Sequence, residues 1–234
     1  MRASFFSCCR RPRLILAGLL CAGPSSLSGH SFDARITPRF GLIDPARALY
    51  DTSVRSADDR TISSSAGLAR RQSLGLAIDL GSAARGVVLR LSVDHALSMR
   101  SHLRFLRSDP PGATIPTGSL NRDTIPASLT EFGLELVLPL RLELGPVSPY
   151  VVAGVGARHF GFELPNYRFG VPEGWALPVS ATSGTVRLGG GVDLDVRGRR
   201  MVLSIVDGMS RYWGATQHHI MASVGLPFGL RSSR

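Results

Sequence analysis

Histidine side chains offer three places where hydrolytic chemistry can be considered. They are His95 with Ser98, His159 with Glu163, and the adjacent pair His218–His219. A serine-type hydrolase needs a nucleophile, a base and a residue that orients the base, all within hydrogen-bond reach. None of the three places supplies that set at a workable spacing, and neighbouring strand residues point to opposite faces, so His218 and His219 do not form a metal pair. We therefore predict no enzyme activity, no cofactor and no metal site.

These histidines lie in or beside segments in which apolar and polar residues alternate, most clearly in Thr130–Leu144 (TEFGLELVLPLRLEL). Every even position from Phe132 to Leu144 is apolar, and most odd positions carry glutamate, arginine or glycine. Successive side chains on a β-strand point to opposite faces, so this stretch predicts a strand with one leucine-covered and one charged face. At about 3.3 Å per residue, it is long enough to cross a bilayer as a tilted strand.

The same alternation recurs along the chain and predicts eight strands. Their approximate ranges are 35–43, 66–81, 86–99, 130–144, 149–163, 184–197, 200–213 and 217–230. In the fifth strand the parity of the apolar residues changes near Arg158, and in the seventh Asp207 falls on the apolar face; a β-bulge would restore either pattern. We predict an all-β fold, an eight-stranded antiparallel up-and-down transmembrane β-barrel.

The connections between these strands are unequal. Residues 82–85, 145–148 and 198–199 form short turns, whereas residues 44–65, 100–129 and 165–183 form long polar stretches rich in proline and glycine. Alternating short and long connections are typical of outer-membrane barrels with periplasmic turns and external loops. A soluble lipocalin-like ligand-binding barrel, with its leucines inside, is the alternative.

Charged residues on the polar faces would lie in the lumen of the barrel. They are Arg39, Asp79, Arg90, Asp94, Glu135, Arg141, Glu143, Arg187, Asp193 and Asp195. We expect a buried ion-pair network that fills the barrel, because unpaired interior charges are costly. A narrow, gated ion path is the alternative.

Aromatic residues near the strand ends are candidates for girdles at the two membrane interfaces. They are Phe132, Tyr150, Phe160, Phe162, Tyr212, Trp213 and Phe228. Arginines near the long connections could bind phosphate through two hydrogen bonds each, or be ordinary solvated residues. They are Arg70, Arg71, Arg100, Arg104, Arg107, Arg158, Arg168 and Arg211. A second group at the short turns, Arg85, Arg197, Arg199 and Arg200, could meet anionic head groups.

The first 28 residues have the pattern of a cleaved signal peptide, which leaves residues 29–234 as the barrel domain. Four arginines precede the apolar run Leu14–Gly23, which is too short to span a membrane as a helix. All three cysteines lie in this segment, so the mature chain would contain no disulfide. The net charge of +10 comes from scattered arginines without a recognised motif, and we predict no nucleic-acid partner.

Two segments resemble small OmpA/OmpX-like outer-membrane β-barrels. SPYVVAGVGARHF (148–160) is similar to the Pro-Tyr-x-x-x-Gly-x-Gly strand of that family, and HHIMASVGLPFGL (218–230) resembles its closing strand, with a glycine followed by an aromatic residue. The resemblance implies a monomer in a bacterial outer membrane. Its implied partners are outer-membrane lipid and lipopolysaccharide, and the barrel-assembly machinery during insertion.

These observations lead us to expect a structural or interaction role: envelope integrity, or contact with lipopolysaccharide or surfaces through the long loops. A small pore or passive transporter is the first alternative. A soluble ligand carrier is the second, and a lipid-modifying enzyme is the least favoured.

Overall fold

The computed structural model describes residues 34–45, 48–55, 59–81, 86–108, 119–140, 142, 144–163 and 176–230. The predicted signal peptide lies outside these residues, as do Arg85, Arg141, Glu143 and Arg168. The described chain forms strands β1 (Ala34–Pro45), β2 (Tyr50–Arg55), β3 (Thr61–Leu68), β4 (Arg71–Leu80), β5 (Val88–Ala96), β6 (Arg100–Ser108), β7 (Ser119–Pro139), β8 (Val147–Phe162), β9 (Ala181–Val196), β10 (Arg199–Tyr212), β11 (Ala215–Gly225) and β12 (Phe228–Leu230). Among these residues, no helix has the length and apolar character needed to cross a membrane.

Eight of the strands close into an antiparallel barrel. In order around the barrel they are β1, β4, β5, β7, β8, β9, β10 and β11, and β11 pairs back with β1. The predicted eight-stranded up-and-down barrel is therefore confirmed. The short strand β12 continues β11 and pairs with the first residues of β1.

The strand register is continuous around the circumference and fixes the tilt of the strands. One row of paired residues begins at Arg35 on β1 and returns to β1 at Pro45, ten residues further along. On the way it passes through Asp79, Arg90, Glu135, Gly154, Arg187, Gly208 and His219. A stagger of this size tilts eight strands by about 40° and leaves an interior that side chains can fill.

One side of the barrel extends beyond the long-connection end, here called the loop end. There β2, β3, β6 and the first residues of β7 form a four-stranded antiparallel sheet. β5 and β6 are joined through a kink at residues 97–99, where Ser98 has a φ of 47°. The stretches 44–65 and 100–129, predicted as long loops, thus contain strands. The serine-rich β3 lacks the alternation that identifies a strand, whereas β6 has it: Leu103 and Phe105 are buried, and His102 and Arg104 are exposed.

Two tight turns join the last three barrel strands. Arg197 and Gly198 have φ values of 54° and 77°, and Trp213 and Gly214 have values of 50° and 76°. Two consecutive residues with positive φ define the type I′ turn, whose twist matches that of the flanking strands. Glycine at the second position of each turn lowers the cost of this conformation.

The outer wall of the barrel is aliphatic. On β7, Phe132, Leu134, Leu136 and Leu138 all point outward and are 39–52% exposed, while the alternate residues are buried inside. The leucines therefore face outward, contrary to what a soluble barrel requires. β8 and β10 keep one parity throughout, with Arg158 inside and Asp207 outside, so the bulges suggested for these strands are absent from the described pairing.

Candidate functional site

Charged side chains in the lumen form two clusters of ion pairs. In the larger cluster, the fully buried Arg187 contacts Glu135 through Nε at 2.7 Å and Glu131 through Nη1 at 2.8 Å. Arg39 pairs with Asp94 at 2.5 Å, and Asp94 also lies 4.0 Å from Arg187. Each guanidinium therefore meets at least one carboxylate, as buried charges require.

Arg158 completes this cluster on its loop side. Its guanidinium pairs with Glu131 and donates to Ser210 Oγ at 2.7 Å. It also donates to the Gly208 carbonyl at 2.8 Å and to His219 Nδ1 at 2.7 Å. Because arginine can only donate, His219 accepts at Nδ1, which makes it a neutral ring with its proton on Nε2.

The smaller cluster lies nearer the short turns. Arg90 donates to both oxygens of Asp79, at 2.6 and 3.1 Å. Arg35 bridges Asp79 and Asp193 at 2.6 Å each, and Arg90 lies 5.4 Å from the centre of the Tyr150 ring. Across the described residues, the two clusters pair five arginines with five acids.

Glycines on the inner wall make room for the guanidinium groups. A Cβ at Gly208 would stand 2.4 Å from Nη2 of Arg158, and one at Gly133 would stand 2.9 Å from Nε of Arg187. Both distances are shorter than a normal contact between non-bonded heavy atoms. The glycines are therefore part of the ion-pair site.

The loop end of the lumen is filled by an apolar cluster, here called the loop-end plug. It consists of Ile43, Leu49, Tyr50, Ala66, Leu68, Ala96, Met99, Leu103, Phe105, Ile125, Leu129, Phe160, Tyr212 and Met221. These side chains come from the barrel and from the four-stranded sheet above it. Charged pairs in the middle of the lumen therefore lie beneath an apolar layer.

Residues 176–180 are tied to this plug by hydrogen bonds. The Tyr212 hydroxyl donates to the Val179 carbonyl at 2.8 Å and accepts from the Val179 amide at 2.9 Å. The Tyr50 hydroxyl donates to the Ala176 carbonyl at 2.7 Å. Ala176 and Leu177 also pack against the plug.

The predicted lumen charges can now be placed. Arg39, Asp79, Arg90, Asp94, Glu135, Arg187 and Asp193 all take part in the two clusters. Arg141 and Glu143 lie outside the described residues. Asp195 belongs to neither cluster: it is the second-last residue of β9, where it is exposed and accepts a hydrogen bond from the Gly198 amide of the following turn at 3.0 Å.

Sequence reasoning missed three members of the clusters, Arg35, Glu131 and Arg158. The prediction of Arg158 as a loop arginine is wrong, because its exposure is 0%. Its parity with Tyr150 and Val152 on β8 is the signal that could have placed it inside. Glu131 likewise shares the parity of Glu135 on β7.

The aromatic residues predicted for the interfacial girdles divide into two groups. Phe132, Trp213 and Phe228 are exposed on the outside. Tyr150, Phe160, Phe162 and Tyr212 instead point inward, where Phe160 and Tyr212 belong to the loop-end plug, Phe162 packs against it, and Tyr150 lies beside the smaller cluster. They occupy even positions of β8 and β10, which face the lumen along the whole strand.

Above the aliphatic band, polar side chains follow the outer wall around the barrel. This outer polar ring consists of Asp44, Arg70, Gln72, His95, Thr130, His159, Thr182, Asp207, Arg211, Thr216 and His218. Within the described chain, every one of the eight barrel strands contributes to it. The ring marks the height at which the aliphatic wall ends.

The candidate histidines are bonded to neighbours in this ring. His95 Nδ1 lies 2.9 Å from Thr130 Oγ1, and His159 Nδ1 lies 2.9 Å from Thr182 Oγ1. His218 Nδ1 lies 2.9 Å from Asp207 Oδ2, whereas His219 is buried inside the barrel. Among the described residues, His95 and His159 are therefore partnered by threonines and not by Ser98 or Glu163. No group of side chains able to hold a metal ion occurs in the described part of the chain.

The loop-side arginines have several environments. Arg70 pairs with Asp44, and Arg71, Arg100, Arg104 and Arg211 are exposed. Arg107 is half-buried, Arg158 belongs to the lumen, and Arg168 lies outside the described residues. At the opposite end, Arg197, Arg199 and Arg200 are exposed, and Arg85 lies outside the described residues.

Comparison with known proteins gives matches among solved structures. No protein-family model matches the sequence, and no curated protein gives a significant match. The chain is similar to the N-terminal β-barrel domain of Pseudomonas aeruginosa OprF, with 12% identity and a TM-score of 0.42 over 83% of this chain and 97% of that one. It is similar to the attachment invasion locus protein Ail of Yersinia pestis, with 11% identity and a TM-score of 0.41 over 86% and 100%. For Neisserial surface protein A, the identity is 13% and the TM-score 0.42 over 84% and 95%.

These likenesses are weak, and the strand register and burial of this chain define its fold independently of them. A closed antiparallel barrel with an aliphatic outer wall and paired charges inside has the construction of a membrane-spanning barrel.

Proposed function

We propose that this chain is a bacterial outer-membrane β-barrel with a structural and surface-contact role. In this proposal, the filled barrel anchors the four-stranded sheet and the long connections at the cell surface. There they contact lipopolysaccharide or other surfaces. No catalytic step is part of the proposal.

The observation that carries it is the aliphatic outer wall. From Phe132 to Leu140, the wall rises about 20 Å at roughly 3.3 Å per residue and a tilt of about 40°. Outward leucine, valine, isoleucine or phenylalanine residues occur on all eight barrel strands. A membrane barrel needs an apolar band of about this height.

The contents of the lumen favour an anchor over a pore. Salt-bridged side chains fill the middle, and the loop-end plug lies above them. A passive transporter of this size would need an aqueous path through both layers.

Cell fractionation combined with gel mobility tests the proposal. The protein should partition with outer membranes, and the unboiled form should migrate faster than the boiled form on a denaturing gel. Recovery in the soluble fraction without detergent, or identical mobility before and after boiling, would contradict it.

A further inference from the structure

Three arginines lie at the tight turn between β9 and β10, at the end of the barrel opposite the four-stranded sheet, here called the short-turn end. Arg197 is in the turn itself, and Arg199 and Arg200 are the first residues of β10. All three side chains are exposed, and among the described residues none of them forms an ion pair with a carboxylate. The turn therefore presents a concentrated positive charge.

The strand register gives Arg199 and Arg200 different directions. Arg200 is paired with Asp195 of β9, so a carboxylate lies on the strand opposite it. Arg199 is paired with Val196 and shares the parity of the outward Ile205 on β10. Arg199 therefore faces outward, at the edge of the aliphatic wall.

The wall around Arg199 is apolar up to this edge. Val196 is 52% exposed, and Leu226 and Phe228 are 57% and 60% exposed. Because Val202 pairs with Gly225, Phe228 lies at the same end of the wall as Arg199. In the described parts of β1, β4, β5, β7, β8 and β11, the last outward position at this end is alanine, leucine or valine. No outward acid of these strands is available to Arg199 there.

An outward arginine at the edge of an apolar wall selects the chemistry of its partner. The apolar stem of arginine can lie along the wall while the guanidinium reaches the head groups. A guanidinium has only donors, and a phosphate accepts two of its hydrogen bonds at once. A zwitterionic head group also brings an ammonium, which Arg197 and Arg199 repel, whereas a head group with a net negative charge brings none.

We propose that the β9–β10 turn binds the head group of an anionic phospholipid in the leaflet at the short-turn end, an inference that rests on the proposed outer-membrane location. Arg199 binds the phosphate through two hydrogen bonds, and Arg197 adds the second positive charge that favours a net negative head group. The acyl chains of this lipid lie against the wall beside Val196 and Phe228.

The charges fit a lipid better than a second copy of the chain. Another barrel in the same membrane would present apolar residues and the same arginines at this height, and neither supplies an acceptor. The outer polar ring at the loop end differs, because Arg70 is paired there with Asp44 and His218 with Asp207. The unpaired positive charge on the outer wall is therefore a feature of the short-turn end.

Native mass spectrometry of the full chain in detergent micelles tests the proposal, with phosphatidylglycerol and phosphatidylethanolamine of the same acyl chains as the added probes. We expect phosphatidylglycerol to be retained about tenfold more strongly, as charge-assisted hydrogen bonds would predict. The double variant Arg197→Gln with Arg199→Gln should bring the two lipids to within about twofold of each other. Soluble glycerol phosphate at millimolar concentration should not displace the lipid.

The matched control is Arg100→Gln with Arg104→Gln, which removes the same charge from exposed positions of the four-stranded sheet and should leave the lipid preference unchanged. Without phospholipid, the Arg197 and Arg199 double variant should unfold in detergent at the urea midpoint of the unmodified chain, because the phosphate is then absent. A lowered midpoint would indicate a structural role and contradict the proposal.

Equal retention of the two lipids by the unmodified chain would overturn the inference. So would an equal loss of preference in the control pair, which would assign the effect to overall charge, or displacement of the lipid by glycerol phosphate. Outer-membrane fractionation is measured separately, so failure of the proposed location is distinguished from failure of this site.

Discussion

At the scale of single residues, the lumen shows how a narrow barrel accommodates charge. Arg187 and Arg158 are fully buried, and each uses its planar fork to reach several acceptors at once. Lysine could not do this, because its single ammonium lacks the fork. The absence of lysine from the whole sequence is compatible with two ion-pair clusters in which arginine supplies every paired cation among the described residues.

Removal of Arg187 should be strongly destabilising. Arg187→Ala would leave Glu131 and Glu135 without the guanidinium between them, and the expected loss is about 3–5 kcal/mol of unfolding free energy. The measurement is the urea midpoint of the fast-migrating folded band in detergent. Arg199→Ala, at an exposed turn position, is the control and should change the stability by less than about 0.5 kcal/mol. Similar midpoints for the two variants would show that the ion pairs do not hold the barrel.

A charge on the outer wall should cost more at the middle of the band than near its edge. Leu136 has two apolar outward neighbours on each side, Phe132 and Leu134 above it and Leu138 and Leu140 below it, whereas Leu140 is the last of this series. We expect Leu136→Arg to lose about 2–4 kcal/mol and Leu140→Arg about 0–1 kcal/mol in folding into lipid vesicles. Leu136→Ile is the control for the loss of leucine. Equal costs at both positions would contradict the assigned depth of the band.

At the level of the strands, alternation was sufficient to predict the eight barrel strands because the outward face of each is mostly apolar. It was insufficient for β2, β3 and the start of β7. Their sequences are polar, and in β3 small residues such as Ser63, Ser64 and Ser65 remove the difference in hydrophobicity between the two faces. β8 shows a further limit. Its inward positions carry aromatic residues at the loop end and glycines in the middle. In the sequence alone, the apolar pattern therefore shifts from one face of the strand to the other. Only the neighbouring strands show that Phe160 fills a plug.

The segment 176–180 should depend on Tyr212. Tyr212→Phe removes both hydrogen bonds to Val179, each worth about 0.5–1.5 kcal/mol, while the ring stays in the plug. We expect faster cleavage of this segment by a protease added to intact cells or proteoliposomes. Tyr150→Phe, at the opposite end of the lumen, is the matched control. Unchanged cleavage in Tyr212→Phe would mean that packing of Leu177 alone holds the segment.

At the scale of the whole molecule, the two ends of the barrel are built differently. Near the short turns, the lumen is lined by valines and the Arg90–Asp79 pair, and at the loop end it is continued by the four-stranded sheet. The sheet adds Leu103, Phe105 and Ile125 to the plug. The four-stranded sheet and the closure of the lumen therefore share one apolar core.

This shared core gives a prediction about conductance. The unmodified protein should produce no discrete current steps in planar bilayers, because both the plug and the ion pairs occupy the lumen. The double variant Phe160→Ala with Arg158→Ala removes one side chain from each layer, the Arg158 guanidinium lying 6.0 Å from the Phe160 ring, and should produce small steps. Its folding is checked by the fast-migrating band, and Phe228→Ala, at an exposed position on the outside, should remain silent. Current steps from the unmodified protein would favour a pore over an anchor. They would mean that ions pass through the lumen despite the packed plug and ion pairs.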